Sequence, residues 1–541
     1  LLLVLVSLTA ACSDAGAPGN ATITEAGLSA DLHALSHDSL RGRLVGTPEI
    51  AKAADWIGER FAALGLEPAG DAGTYDQRFD MTWFSLGGQN ALTVSGAGGA
   101  RPPGSGWTPA NISATGSAAG EVVFAGFGIV EPRLRYDDYD GETVRGKVVL
   151  ALEREPGVDD EASPFDGVVA SEASRDWRKV LSAQERGAVA VLFVRDVNAR
   201  ADVDDWAGYH AESWPADPRR IERFTLGTWM DDVTIPVALI SAEVAEGLVA
   251  ASGRTLAELA QAADASAQGL GLVDLPGTRV SLTTAVERHV TPGRNILAMV
   301  EGSDPALRDE VVIVGGHHDH NGADSAGVYN GADDDGSGTV GVMAVAAAYA
   351  AALEDGKRPR RSVMFAVWDA EERGLLGAWY YTHQPFFPLQ STVANLNMDM
   401  VGRNEEVPSD GGGRFRGLEP QTAESNSNAI NIIGSSHTPD LAGVVEAANE
   451  PYALMLRMRY DNNESSLMRR SDHWPFLQSG VPALWFHTGL HPDYHTPMDD
   501  ADRINYEKMT RIVRLVHQVS WDLANADGRP ALEGMKVRPR S

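Results

Sequence analysis

Apolar residues change their spacing three times along this chain, and each change predicts a different kind of element. Between residues 23 and 66 the spacing is helical. Leu28, Leu32 and Leu35 recur at intervals of three and four, and 51–66 (AKAADWIGERFAALGL) carries its apolar positions on one face and stops at Gly65. A loop at 40–47 separates the two helices. Weak alternation over 75–95 predicts strands, and the run 96–106 (GAGGARPPGSG) punctuates the chain. A second texture begins near Ser117, with strands expected at 121–129, 146–151, 188–194 and 235–241 and helices at 177–186 and 242–251. From about Thr278 short apolar runs alternate with helices. Residues 311–314, 362–368, 393–398, 430–433 and 483–487 read as strands, an alanine-rich helix opens at Thr339, and a last helix covers 506–523. Short runs apolar on both faces predict an α/β domain with a mostly parallel sheet, whose ligands gather at the carboxyl ends of the strands.

Composition narrows the partners. A chain of 541 residues has room for two or three domains. A net charge of −30 and a pI near 4.8 argue against nucleic acid, which requires a basic footprint. The one cysteine, Cys12, excludes an intramolecular disulfide. It follows an uncharged apolar run, 1–11, that is too short to span a bilayer and reads as the core of a signal peptide, whose basic start is expected before Leu1. Leu8-Thr9-Ala10-Ala11-Cys12 resembles the lipobox of bacterial lipoproteins. That implies lipidation of Cys12, a flexible tether over 13–21, and an exported chain held to a bacterial envelope membrane only through this anchor. An ordinary signal peptide with an incidental cysteine is the alternative.

Candidate chemistry falls where strands end. His317 and Asp319 follow the run 311–314, and Asp333-Asp334-Asp335 comes within twenty residues of them. Glu371 and Glu372 follow 362–368, Asp399 sits between Met398 and Met400 at the end of the next strand, and His495 follows Tyr494 after the last. Each alone has an ordinary reading as surface or loop. Together they are nitrogen and oxygen donors suited to Zn²⁺, with Co²⁺ or Mn²⁺ as substitutes. Two histidines and three carboxylates exceed the needs of one catalytic zinc and point to two metals with a bridging carboxylate.

These segments, in this order, resemble the co-catalytic zinc exopeptidases of the aminopeptidase S and aminopeptidase Y type, over 22–104 and 279–525. Tyr136-Asp137-Asp138-Tyr139, Gly146-Lys147-Val148-Val149 and Gly187-Ala188 resemble the protease-associated domain, expected as an insert at 112–275. The resemblance implies an α/β fold with a mostly parallel mixed sheet flanked by helices, plus a smaller β-rich insert. It implies that His317 and Asp399 hold one zinc, that Glu372 and His495 hold the other, and that Asp334 bridges. By the same carry-over Asp319 orients His317, Glu371 is the general base, and Tyr494 donates to the tetrahedral oxyanion. Ala378 departs from the pattern, which commonly has serine after Gly377.

His473 is read as shaping the pocket, and His318, His320, His487 and His491 as loop histidines. Arg403 and Arg470 either meet a substrate or form structural ion pairs. Residues 405–427 either overhang the site or lack order. The expected activity is release of N-terminal residues from peptides. A carboxypeptidase or dipeptidase, a glutaminyl-cyclase-like enzyme and a non-catalytic binding ectodomain are the alternatives, and the oligomeric state stays open.

Overall fold

The computed structural model describes residues 16–95 and 99–533. The expected signal run, Cys12 and the first part of the tether lie outside them.

Two helices open the described chain. Helix α1 (Glu25–Leu35) starts at Thr24, whose side chain accepts the amide of Gly27, and α2 (Pro48–Ala63) starts at Thr47 with proline in its first turn. The main sheet then assembles from β1 (Asp76–Leu86), β2 (Val286–Val300), β3 (Val311–His317), β4 (Ser362–Trp368), β5 (Thr392–Met398), β6 (Ala429–Ile433) and β7 (Ala483–His487), in the order β1-β2-β4-β3-β5-β7-β6. Strands β4, β3, β5 and β7 are mutually parallel, whereas β1, β2 and β6 join antiparallel. The fold is therefore α/β with a mixed sheet and a parallel centre.

The central strands are apolar throughout because both faces are covered. Val312 and Val314 of β3 pack with α1, α2, α3 (Gly338–Glu354) and α5 (Tyr506–Asn525), while Val311 and Ile313 face α4 (Leu376–His383) and the buried Trp368, Trp379 and Trp474. Strand β4 divides in the same way, Val363, Phe365 and Val367 to one side and Met364, Ala366 and Trp368 to the other.

A second, seven-stranded sheet takes its strands from residues 91–284 and keeps its own apolar core around Phe124, Leu150, Leu192 and Ile240. Its segment meets the first unit through apolar packing, with Val169, Leu226, Trp229 and Met230 in the core around Trp379 and Trp474, and through polar contacts. Arg220 Nη1 donates to Asn321 O at 2.6 Å, Arg469 Nη1 to Ala170 O at 2.6 Å, and Trp474 Nε1 to Glu172 Oε1 at 3.2 Å.

Candidate metal centre

Register places the chemistry. His317 is paired with Trp368, Gly315 with Asn397, and Asn397 with Trp485, so β3, β4, β5 and β7 end at one edge. The residues that follow them share one buried volume: His317, Asp319, Asp334, Glu371 and Asp399 are all less than one-tenth exposed.

The five expected donors form two clusters joined at Asp334. On one side His317 Nε2 lies 3.5 Å from Asp334 Oδ1 and 3.8 Å from Asp399 Oδ2. On the other His495 Nε2 lies 2.9 Å from Asp334 Oδ2 and 3.2 Å from Glu372 Oε1. Glu371 Oε2 reaches to 3.6 Å from His317 Nε2. Asp319 stands behind His317, its main-chain O 3.2 Å and its Oδ1 3.4 Å from Nδ1, and its carboxylate accepts the amides of Glu371 and Glu372. Tyr494 stacks on His495 with ring centroids 3.8 Å apart and lines the same pocket as Asp334, Glu371 and Asp399.

Hydrogen bonding explains why the middle aspartate is the free one. Asp335 lies close enough to His317 and Asp399 to share a cation on distance alone, yet its carboxylate accepts the amides of His317, Gly338 and Met400. Asp333 accepts the amide of Gly402 and faces His491 at 3.3 Å. Asp499 holds the loop from below by accepting the amides of Asp333 and Asp334. Asp334 Oδ2 is left without a hydrogen bond among the described residues.

Backbone strain accompanies the arrangement. His495 adopts φ 57°, and Ala370, just before Glu371, φ 59°. The left-handed region costs a non-glycine residue about 1–2 kcal/mol, a cost that surrounding contacts offset at functional sites. Arg43, wholly buried, ties the loops together by donating to the carbonyls of His318, Leu35, Asn330 and Gly331 at 2.7–2.9 Å.

Electrostatics show what the cluster lacks. Burial pushes the Glu371 carboxyl well above its usual range, against the pull of His317. Burial also opposes the charged forms of Asp334 and Glu372, but His317 and His495 hold Asp334 well below that range, and His495 does the same for Glu372. Burial opposes the charge on His495 as well, and Glu372 and Asp334 overcome it to raise the imidazole to about 10. The carboxylates thus draw positive charge onto the imidazoles. Metal cations supply that charge and displace those protons.

The donors fit cations rather than one another. His317 Nε2 and Asp334 Oδ2 are buried and make no hydrogen bond among the described residues although each has an oppositely charged neighbour within 4 Å. Atoms this close and not aimed at each other converge on a common third point.

Other residues fall out plainly. Arg403 pairs with Asp493 at 2.8 Å, whereas the guanidinium of Arg470 lines the pocket without a hydrogen bond or ion pair among the described residues. His318, His320, His487 and His491, read as loop histidines, are all buried. Burial holds His318 and His487 down at about 4, so both are neutral; His318 Nδ1 meets Trp368 O and His487 Nδ1 meets Asp399 O. Segment 405–427 is ordered: Glu405 is buried against Arg459 and Tyr460, and Arg414 donates to Tyr494 O at 2.6 Å. Ser471, in the segment assigned to pocket shape, donates to Asp399 Oδ2 at 2.5 Å.

Fold and site define the class, a mixed α/β sheet with a paired-cation centre of imidazoles and carboxylates along its carboxyl edge. The model of peptidase family M28 matches residues 295–520, and this domain belongs to that family. "Probable glutamate carboxypeptidase VP8" of Zea mays is 29% identical over 511 residues, 88% of this chain and 62% of its own. "Aminopeptidase YwaD" of Bacillus subtilis is 27% identical over 228 residues, 41% of this chain and 43% of its own. The chain spans less than two thirds of the length of these curated relatives. Among solved structures the aminopeptidase from Aneurinibacillus sp. strain AM-1 is similar over 96% of this chain and 98% of its own, at 17% identity and a TM-score of 0.49.

Proposed function

We propose that this chain is a di-zinc exopeptidase that removes N-terminal residues from peptides. The observation that carries the reading is the pair of donor clusters sharing Asp334, with Glu371 beside both. His317 and Asp399 would hold one ion, Glu372 and His495 the other, and Asp334 both; Co²⁺ or Mn²⁺ can replace Zn²⁺. Ions held there supply Lewis acidity toward the scissile carbonyl and toward water.

The chain's own groups do the rest. Glu371, buried beside His317, takes a proton from the attacking water and passes it to the leaving amine. Asp319 fixes the imidazole of His317 and the backbone under Glu371. Tyr494 donates a hydrogen bond from its hydroxyl to the oxygen that gains charge as the carbonyl becomes tetrahedral. The carboxylates beside the pocket complement a free α-ammonium group, and the aminopeptidase from Bacillus subtilis among the relatives supports the same direction of cleavage. The second sheet's segment, as a protease-associated-type insert, reaches the metal-side loop where Arg220 donates to Asn321 O. Export and lipid anchoring through Cys12 belong to the proposal.

One observation favours a second reading. Arg470 offers an unpaired guanidinium at the pocket, the group that recognises a substrate carboxylate, and the glutamate carboxypeptidase relative aligns with most of this chain. Peptides with free, N-blocked and C-blocked ends, incubated with and without zinc and read by mass spectrometry, separate the two. Zinc-dependent loss of the first residue, abolished by N-blocking alone, is the expected result. Loss from the other end, abolished by C-blocking, replaces it with the carboxypeptidase.

A further inference from the structure

We infer that His320 is a sixth protein ligand of the centre and gives the Glu372–His495 side a second imidazole. The inference rests on the two-metal reading above and adds to it a residue outside the five-donor set. His320 follows His317 by three residues, and its ring is fully buried. Its backbone is fixed, because its amide donates to Arg43 O at 3.1 Å and Leu44 bridges to it.

The ring faces the metal cluster. Nδ1 lies 2.8 Å from Glu372 Oε1 and 3.8 Å from Asp334 Oδ2, and the ring centroid is 5.6 Å from that of His495. His320, Asp334 and Glu372 together offer three donor atoms close enough to share one ion. At 2.8 Å a ring nitrogen and a carboxylate oxygen should form a strong hydrogen bond. Neither ring nitrogen of His320 forms one among the described residues, so Nδ1 and Oε1 lie side by side and are not aimed at each other. Side-by-side donors of opposite kind are what a cation needs. Asn321 Nδ2 occupies the remaining approach to Oε1 at 2.8 Å and holds the carboxylate in that attitude.

The loop is built around this ring. Gly331, at φ 52°, faces it so closely that a Cβ there would stand 2.5 Å from His320 Cγ. A side chain at 331 would clash with both the imidazole and the main-chain oxygen of Asp334.

The consequence is an unequal pair of sites. The His317 side has one imidazole with the carboxylates of Asp399 and Asp334. The other has the imidazoles of His320 and His495 with Glu372 and Asp334, a set that suits Zn²⁺ over Mn²⁺ and binds it more tightly. Zinc should therefore leave in two stages, the His317 side first.

The test is a crystal structure of the full chain loaded with Zn²⁺, with anomalous scattering to place the ions, and competition titration of wild type and His320→Asn with a zinc chelator. The inference predicts His320 Nδ1 at about 2.0–2.1 Å from one ion. It also predicts that His320→Asn weakens one of the two affinities by more than the roughly 10–100-fold that loss of an orienting partner costs. Two ions bound with Nδ1 more than about 2.5 Å from either would overturn the ligand assignment and leave the two-metal reading intact. One ion or none in wild type would overturn both. Should His320→Asn fail to fold, the wild-type structure alone decides.

Discussion

Asp319 accepts the backbone amide of Glu371 at 2.9 Å, so the residue behind the first histidine also sets the position of the glutamate proposed as the base. Its other oxygen takes the amide of Glu372 at 3.2 Å. One carboxylate thus couples a metal-facing imidazole, a base and a second metal-facing carboxylate across two parallel strands. Asp319→Ala leaves two amides unpaired in a buried place and removes the carboxylate beside His317 Nδ1, while the main-chain oxygen that meets the ring stays. Zinc affinity or turnover is expected to fall about 10–100-fold and stability by about 1–3 kcal/mol, read by chelator competition, kinetics and urea unfolding.

Glu371→Gln keeps the shape and the Asp319 contact but removes the base. It should hold as much metal as wild type by elemental analysis while kcat falls about 10²–10⁴-fold. Wild-type turnover in this variant would remove Glu371 from the mechanism.

Arg43 is a structural prediction. Its guanidinium satisfies four carbonyls from three segments, including both loops that carry the first cluster. Arg43→Ala is expected to cost about 3 kcal/mol or more, since buried acceptors are left bare at about 1–3 kcal/mol each. Arg43→Lys should recover only part, because an ammonium lacks the planar fork. Denaturant midpoints of the three proteins check the order.

Acid sensitivity follows from histidines buried neutral. Burial lowers His473 and His517 to about 3, against an ordinary value of 6.5. Between those values the unfolded chain binds protons that the folded chain refuses, so stability is complete above about 6.5 and falls as pH drops through the window. Each such histidine contributes a slope of up to about 1.4 kcal/mol per pH unit. His517 packs edge-on against Tyr349, remote from the metal cluster. His517→Phe should flatten the stability profile between pH 4.5 and 6.5; an unchanged slope would show that His517 is not the source.

The anchor prediction stands on the lipobox. In a bacterial host that processes lipoproteins the chain is expected in the membrane fraction and Cys12→Ala in the soluble one. Continued membrane association of the variant would remove the lipid from the account.

The donors and the central strands were legible because both depend on chain-local signals. Strands β3, β4, β5 and β7 are apolar runs flanked by polar motifs, and register then delivers those motifs to one edge. Less was visible in β2, whose first half alternates between exposed and half-buried positions and carries Pro292 and Gly293. Its identity as a strand comes from pairing with β1, a contact more than two hundred residues away. The burial of His318, His320, His487 and His491 was missed for the same reason. A histidine in a loop looks exposed until the loop is known to be covered, as Arg43 covers the segment of His318 and His320. Which of three aspartates is free was likewise invisible from spacing, being decided by the amides of His317, Gly338, Met400 and Gly402.

The junction between the two sheets has a mechanical meaning. The second sheet's last strand ends at Thr284 and β2 begins at Val286, so Ala285 is the sole residue between two long strands. The other crossing, at 87–90, is stitched to it: Gly87 N donates to Ala285 O at 2.8 Å and Ala285 N to Asn90 Oδ1 at 2.7 Å. The two sheets share a double-stranded spar. A swing of the second sheet would have to flex that spar, and β2 lies directly beside β4, the strand that leads into Glu371 and Glu372. Movement of the second sheet and movement of the glutamate pair are therefore mechanically linked.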